Sequence, residues 1–299
     1  MPELPEVETV RLGLETHIVG EKIRAAKTFH RRAINPNSIA PIDSVVGAKI
    51  LAVKRRGKFL WITLNRPEVV VGHLGMSGQF LIQPKKTAPE KHLRVSLDLG
   101  RSELRFVDQR TFGWIAIDQT EKGIPTMVSH ISADPFDPEF NEKAVVARFQ
   151  AKKTEIKKAL LDQSIMSGVG NIYADETLWL AKINPLRNCQ DLEAKEILKI
   201  IRSAKKVMAK ALRAGGTSFD DLYINVNGES GYFERSLNAY GREEEPCRRC
   251  GKVIQRLVLA NRSAHFCPKC QPFPRGKGLK INRRKVRSEE HTSELQSHS

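Results

Sequence analysis

The stretch Met1-Pro2-Glu3-Leu4-Pro5-Glu6-Val7-Glu8 sets two prolines among three carboxylates. With Met1 removed, Pro2 is a free secondary amine beside Glu3, and Glu6 and Glu8 lie within two helical turns. An α-amino group titrates at about 7.7–8 before perturbation, so part of it is unprotonated at neutral pH and competent to form a Schiff base. A prolyl amine gives an iminium that cannot discharge by shedding an N–H proton, which makes it an electron sink for eliminations. The same residues also suit a plain helix start, with proline in the first turn and acidic groups at the positive end of the dipole. By itself the stretch leaves both readings open. Val7, Val10, Leu14 and Ile18 then recur at helical spacing, predicting a helix over Pro5–Gly20.

Outward from that helix the pattern changes. From Lys22 to Asp118 short alternating runs are punctuated by turn residues, predicting strands at Lys49–Val53, Phe59–Leu64, Val69–Gly72, Gln79–Ile82, Leu93–Leu99, Leu104–Val107 and Trp114–Ile117. This is a β-sandwich or barrel of a little over 100 residues. A proline-bearing linker, Gly123–Pro138, leads to a basic helical region with helices at Ala144–Phe149, Ile156–Leu161, Ile172–Leu180 and Ala194–Leu212. The glycine-rich, polar stretch Thr217–Tyr240 reads as a loop. The division expected is 1–122, 123–138, 139–240 and 241–275. The polar, aperiodic tail 287–299 resembles a translated sequencing adapter and is left out of the fold.

The 299 residues carry a formal charge of +16, which points to a polyanionic partner. A membrane partner is disfavoured, because the chain has neither a long apolar run nor a signal-peptide pattern. Four of five cysteines form Cys247-x2-Cys250 and Cys267-x2-Cys270. That spacing suits a closed, tetrahedral, structural Zn2+ site on a β-hairpin, with Arg262 at its tip and His265 a strand residue. Cys189 is left as a free thiol. Ser167-Gly168-Val169-Gly170-Asn171 precedes a predicted helix and offers backbone N–H groups to a phosphate, with Lys152, Lys153, Lys157 and Lys158 just upstream; a tight interhelical turn explains it equally well. His73-Leu74-Gly75-Met76-Ser77-Gly78 and Asp108-Gln109-Arg110-Thr111-Phe112-Gly113 sit at strand–turn boundaries. Their Met76 and Phe112 read either as core plugs or as wedges for a base stack, with Arg110 in reach of a base edge.

In this order the motifs resemble the bacterial formamidopyrimidine-DNA glycosylase family, over Pro2 to Gln271. The matching pieces are PELPEVE, RRGK at Arg55–Lys58, HLGMSG, KH at Lys91-His92, RTFG, LLDQ…GVGNIYADE at Leu160–Glu176, GYF at Gly231–Phe233, and the four-cysteine finger with Arg262. The resemblance implies an α+β fold: an N-terminal β-sandwich with flanking helices, then a helix–two-turn–helix domain with a zinc finger. Damaged duplex DNA would lie between them. It implies excision of oxidised purines and nicking by β,δ-elimination, by a monomer in the bacterial cytoplasm. Pro2 is then the nucleophile and Glu3 the acid, Lys58 serves β-elimination and Arg262 δ-elimination. His92, Arg110 and Lys153 bind DNA, His73 and Asn171 contact phosphate, and Met76, Arg110 and Phe112 fill the gap left by the everted base. Gln109 departs from the family, where many members carry proline. Leu4 favours the purine branch over relatives that begin PEGPE. A zinc-ribbon binding protein explains the charge and cysteines but not Pro2-Glu3. A proline-dependent tautomerase explains Pro2 but neither the charge nor the finger.

Overall fold

The protein is described by a computed structural model over residues 2–215 and 236–274. Most of the loop expected at Thr217–Tyr240, with the segment 217–233 and its GYF motif, and the tail 287–299 lie outside the described residues. Helix α1, Leu4–Ile18, buries Val7, Val10, Leu14 and Ile18 against the sandwich core, while Leu4 at its head packs into the core of the helical domain. The first turn of α1 is therefore the seam between the two halves of the molecule.

The sandwich comprises β1 (Ala25–Thr28), β2 (Ile50–Arg56), β3 (Phe59–Leu64), β4 (Glu68–His73), β5 (Gly78–Pro84), β6 (Leu93–Asp98), β7 (Ser102–Asp108), β8 (Trp114–Glu121) and β9 (Ile124–Pro125). One antiparallel sheet runs β1-β6-β7-β5 and the other β2-β3-β4-β8-β9. Inward side chains of both, including Leu60, Ile62, Val70, Phe80, Leu104, Phe106 and Ile117, form a single apolar core. All seven strands expected from alternation are present, with ends shifted by a few residues. β1 gave no signal because it is four residues long and only half-buried.

The stretch read as a linker is partly built into the sandwich. β9 pairs with the end of β8, and Val128 and Ile131 are buried against Trp61, Val69 and Val71. Of its prolines, Pro125 is the buried end of β9, Pro135 is buried in a turn and Pro138 lies in an exposed turn. Asp134, fully buried, accepts from Arg55 Nη1 (2.7 Å) and from the Gly57 N–H (3.1 Å), and Arg55 also reaches Glu8 (2.7 Å). These bonds fasten the β2–β3 turn to α1 and to the entry of the second domain.

That domain holds α2 (Glu142–Gln150), α3 (Ile156–Leu161), α4 (Asn171–Ala181) and α5 (Ala194–Arg213). In α5 the buried stripe Ile197, Ile200, Ile201, Ala204, Val207, Met208 and Ala211 lies opposite lysines and arginines. From Ile172 to Trp179, α4 is buried on every side, including Asp175 and Glu176. Cys189 is a buried thiol, pushed up to about 11 by burial. The chain ends in a hairpin of β10 (Gln255–Leu259) and β11 (Arg262–Phe266). Its two-residue turn, Ala260–Asn261, has φ of 49° and 59°, the left-handed pair of a type I′ turn.

Candidate active site and nucleic-acid interface

Glu3 is 2% exposed and points across the seam at the N-terminus of α4. Its carboxylate accepts the N–H groups of Gly170 (2.5 Å), Ile172 (2.8 Å) and Tyr173 (3.3 Å). Gly170 is required there, because a Cβ would stand 2.4 Å from the Glu3 carboxyl carbon. The backbone donors expected to receive a DNA phosphate thus already hold an internal carboxylate. Sequence left a phosphate site and a tight interhelical turn open here; the carboxylate was not foreseen, since the approach of α1 to α4 spans more than 160 residues of chain.

Burial raises the Glu3 pKa to about 7. Lys58 opposes that rise, the like charge of Glu6 adds to it, and the Ile172 and Gly170 N–H groups oppose it. Glu6 is itself tied in: it accepts the Glu3 N–H at 2.9 Å and the Tyr173 hydroxyl at 2.7 Å. Pro2, adjacent, is buried.

Lys58 follows Gly57 in the two-residue turn between β2 and β3. Gly57 has φ +57°, and a Cβ on it would sit 2.8 Å from the Ser167 side chain, so the turn rests directly on the segment leading to α4. Lys58 is buried. Burial lowers its pKa, with Glu3 opposing and Arg262 reinforcing the shift. His73 ends β4, stacked between Phe59 (centroids 4.8 Å) and Trp114 (5.7 Å). Burial, then Lys58, lowers it to about 4. The neutral ring accepts the Gly75 N–H on Nδ1 (3.2 Å), which leaves Nε2–H as a donor. Lys58, Phe59, His73 and Arg262 line an open cavity of about 380 Å³, to which the helical domain contributes Leu161–Ser164.

Arg262 is exposed at the start of β11, on a hairpin bound tightly to α4. Asp175 accepts Lys157 Nζ (2.5 Å) and both the backbone N–H and Nδ1 of His265 (2.9 Å each). Lys157 also reaches the Ser263 carbonyl (2.5 Å), and Asn171 donates to the Ser263 hydroxyl (3.2 Å). Lys157 is therefore a buried strut for the hairpin, unlike exposed Lys153; Lys152 and Lys158 pair with Asp162 and Glu155. Glu176 accepts the N–H groups of Asn238, Ala239 and Tyr240, and burial raises its pKa. Asp134, Lys157, Asp175, Glu176 and His265 were not singled out from sequence as supports. The available signal was the apolar, glycine-led GVGNIYADE run, where charges in a fully buried helix must be paired.

The Sγ atoms of Cys247, Cys250, Cys267 and Cys270 lie within 4.8 Å of one another. That fits tetrahedral Zn2+ with Zn–S bonds of about 2.3 Å. Trp179 Nε1 donates to Cys247 Sγ (3.4 Å), and Gln271 joins the Cys267 N–H to the Ile183 carbonyl, so the metal module is also docked on α4. The four thiolates close the coordination shell, so the metal is structural.

On the sandwich, Met76 (40% exposed) and Phe112 (59%) project from the β4–β5 and β7–β8 loops, with exposed Arg110 on the second loop and half-buried His92 at the start of β6. They are not core plugs.

Residues 1–115 match the model of the formamidopyrimidine-DNA glycosylase N-terminal domain. Residues 131–222 match the H2TH domain of the same enzyme, and 244–272 match a zinc finger found in FPG and IleRS. A formamidopyrimidine-DNA glycosylase of Thermobifida fusca is 49% identical over 292 residues, spanning 92% of this chain and 99% of that one. One of Rhodococcus jostii is 51% identical over 285 residues, spanning 92% and 97%. The chain belongs to the formamidopyrimidine-DNA glycosylase family. Solved members share its architecture. The Lactococcus lactis Fpg bound to abasic-site DNA superposes with TM-score 0.83 at 33% identity, covering 91% of this chain and all of that one. MutM in complex with DNA containing carbocyclic 8-oxo-G gives 0.82 at 33%, with the same coverage. Membership in this family places the chain among zinc-finger DNA-repair glycosylases. Among the described residues no helix is long and apolar enough to cross a membrane.

Proposed function

We propose that the protein excises oxidised purines from duplex DNA through a Schiff base on Pro2 and nicks the resulting abasic site by β,δ-elimination. The observation that carries this reading is Glu3, buried at the head of α4 with its pKa held up to about 7, next to Pro2 and facing Lys58. A carboxyl group poised near neutrality can give a proton to a sugar ring oxygen and take it back.

Inside a duplex the damaged base is out of reach, so the nucleotide is everted at a cost of a few kcal/mol. Met76 and Phe112 fill the gap and Arg110 meets the orphaned cytosine. The Pro2 nitrogen bonds to C1′ and the base departs with the C1′–N bond electrons. Glu3 protonates the ring oxygen as the sugar opens, leaving an iminium. Lys58, its ammonium weakened by burial, takes a C2′ proton, and the electron pair expels the 3′ phosphate. A second proton loss expels the 5′ phosphate. Arginine does not deprotonate in proteins, so Arg262 acts as a clamp on the departing phosphate. His73 donates from Nε2 as a neutral ring, and Asn171, His92, Arg110 and Lys153 hold the DNA. The zinc only fixes the hairpin that carries Arg262. One chain holds every one of these groups, which supports action as a monomer.

The chemistry requires removal of Met1, because a Met1–Pro2 peptide bond leaves no amine. Borohydride added during incubation with abasic DNA traps a covalent adduct if the reading is right, and mass mapping places it on Pro2. A protein that binds the DNA without being trapped is a binding module, and the enzymatic reading falls.

A further inference from the structure

The two loops that carry Met76 and Phe112 are joined to each other before any DNA arrives. Asp108, the last residue of β7, is fully buried. Its Oδ1 accepts the Ser77 hydroxyl at 2.5 Å, from the first loop, and the Arg110 N–H at 3.1 Å, from the second. Its Oδ2 accepts the Gly113 N–H at 2.7 Å, and the Arg110 N–H is shared with Ser77 Oγ at 3.2 Å. Asp108 is itself anchored: its N–H donates to the His92 carbonyl (3.0 Å), and its carbonyl accepts Arg94 Nε (2.7 Å). Among the described residues the donors to this carboxylate are one hydroxyl and two backbone N–H groups. Its neighbours are hydroxyl and amide donors belonging to the two loops.

Packing makes the same connection. Gly75 has φ +59°, and a Cβ there would lie 2.4 Å from the Gly113 nitrogen and from the Phe112 carbonyl carbon. A Cβ on Gly113 would lie 2.9 Å from the carbonyl oxygens of His73 and Leu74. The two backbones touch without side chains between them, and Met76 and Phe112 stand outside that contact. A buried, fully satisfied polar network of this kind fixes a single arrangement of the groups it joins.

We propose that Asp108 and Ser77 are positioning residues that lock the Met76 and Phe112 loops into one preassembled wedge, so that both side chains enter the base stack as a rigid unit. Neither residue reaches the reacting sugar. Their effect falls on base eversion, where two independently mobile loops would have to be ordered during the step. This inference rests on the wedge reading given under Proposed function.

The test compares two rates in each variant. Eversion is followed by stopped-flow fluorescence of 2-aminopurine placed beside 8-oxoguanine in a duplex. Schiff-base formation without eversion is followed by borohydride trapping on a single-stranded abasic oligonucleotide. Ser77→Ala is expected to lower the eversion rate about tenfold relative to trapping, and Asp108→Asn by more, since an amide cannot accept at both positions. Met76→Ala and Phe112→Ala, non-additive in the parent, become additive in the Ser77→Ala background. Eversion at the parental rate in both variants overturns the proposal. So does an equal fall in both rates, which would show a general folding defect. Phe112→Ala separates the two levels. If it leaves eversion unchanged, the wedge reading fails and takes the proposal with it. If it slows eversion while Ser77→Ala and Asp108→Asn do not, only the proposal fails.

Discussion

The wedge loops belong to the sandwich and the zinc-finger hairpin to the helical half of the molecule, and each presents an exposed group at or beside a short turn. They are held in different ways. The wedge loops grow from a sandwich with its own apolar core, and one buried carboxylate that accepts one hydroxyl and two backbone N–H groups joins them. The hairpin has little core of its own: its satellite cluster is Trp179, Ala239, Ile254 and cysteines. It depends on four thiolates and on α3 and α4, through Lys157, Asp175 and Trp179, and on Gln271, which reaches the Ile183 carbonyl just past α4. A module too small to bury its own surface takes its order from a metal and a neighbour.

The sharpest way to break this comparison is to remove the metal. Chelation, or Cys247→Ser, is expected to lower DNA affinity and trapping together, on the order of a hundredfold, while the main thermal transition of the sandwich stays within a few degrees of the parent. Calorimetry and trapping on one sample read both quantities. Full activity with a disordered finger would show that Arg262 and its hairpin are dispensable.

A smaller effect is expected at the seam between the two halves. Glu3 must carry its proton to serve as the acid, and the Pro2 amine must be free of one. The nearby charge of Glu6 helps to raise Glu3 to about 7. Glu6→Gln keeps an acceptor for the Glu3 N–H and removes the charge, so the Glu3 pKa falls. Below the lowered value Glu3 is protonated in both proteins and the rates agree. Above about pH 7 the variant holds fewer protonated Glu3 groups, and its trapping rate falls severalfold below the parent. A variant that matches the parent at alkaline pH, or loses activity equally at all pH values, removes Glu3 from the proton-donor role.

Much of the fold was legible because each element announced itself locally. Alternation gave the strands of the sandwich, 3.6-residue spacing gave α1 and α5, and cysteine spacing gave the finger. Pro2, Glu3, Lys58 and Arg262 came from local motifs and from their resemblance to a family. What stayed hidden was how distant segments meet. Glu3 takes the donors of residues 170–173, Asp134 fastens the turn that carries Lys58, and Asp175 supports a hairpin about 90 residues further on. A buried carboxylate looks the same in sequence as a solvated one, and its role appears only when the donors around it are known. The Gly123–Pro138 stretch misled for a related reason: proline and glycine mark turns, and turns occur inside packed structure as readily as between domains.

The finest adjustment separates metal from backbone as the source of order in the finger. Ala260 opens the hairpin turn at φ +49°, a region where the alanine Cβ crowds the following carbonyl. Glycine adopts that conformation without the clash, though it also adds freedom to the unfolded chain. The first effect is the larger at a left-handed position, so Ala260→Gly is expected to stabilise the zinc-loaded finger by up to about 1 kcal/mol. The gain would appear as slower zinc release to a chelator, since metal loss requires the hairpin to open. Arg262, two residues on, keeps its place, so trapping on abasic DNA should stay within about twofold of the parent, because the substitution relieves backbone strain without touching the network around Asp175. Faster zinc release in the glycine variant would mean that the alanine turn is already relaxed and that the thiolates and α4 alone set the hairpin.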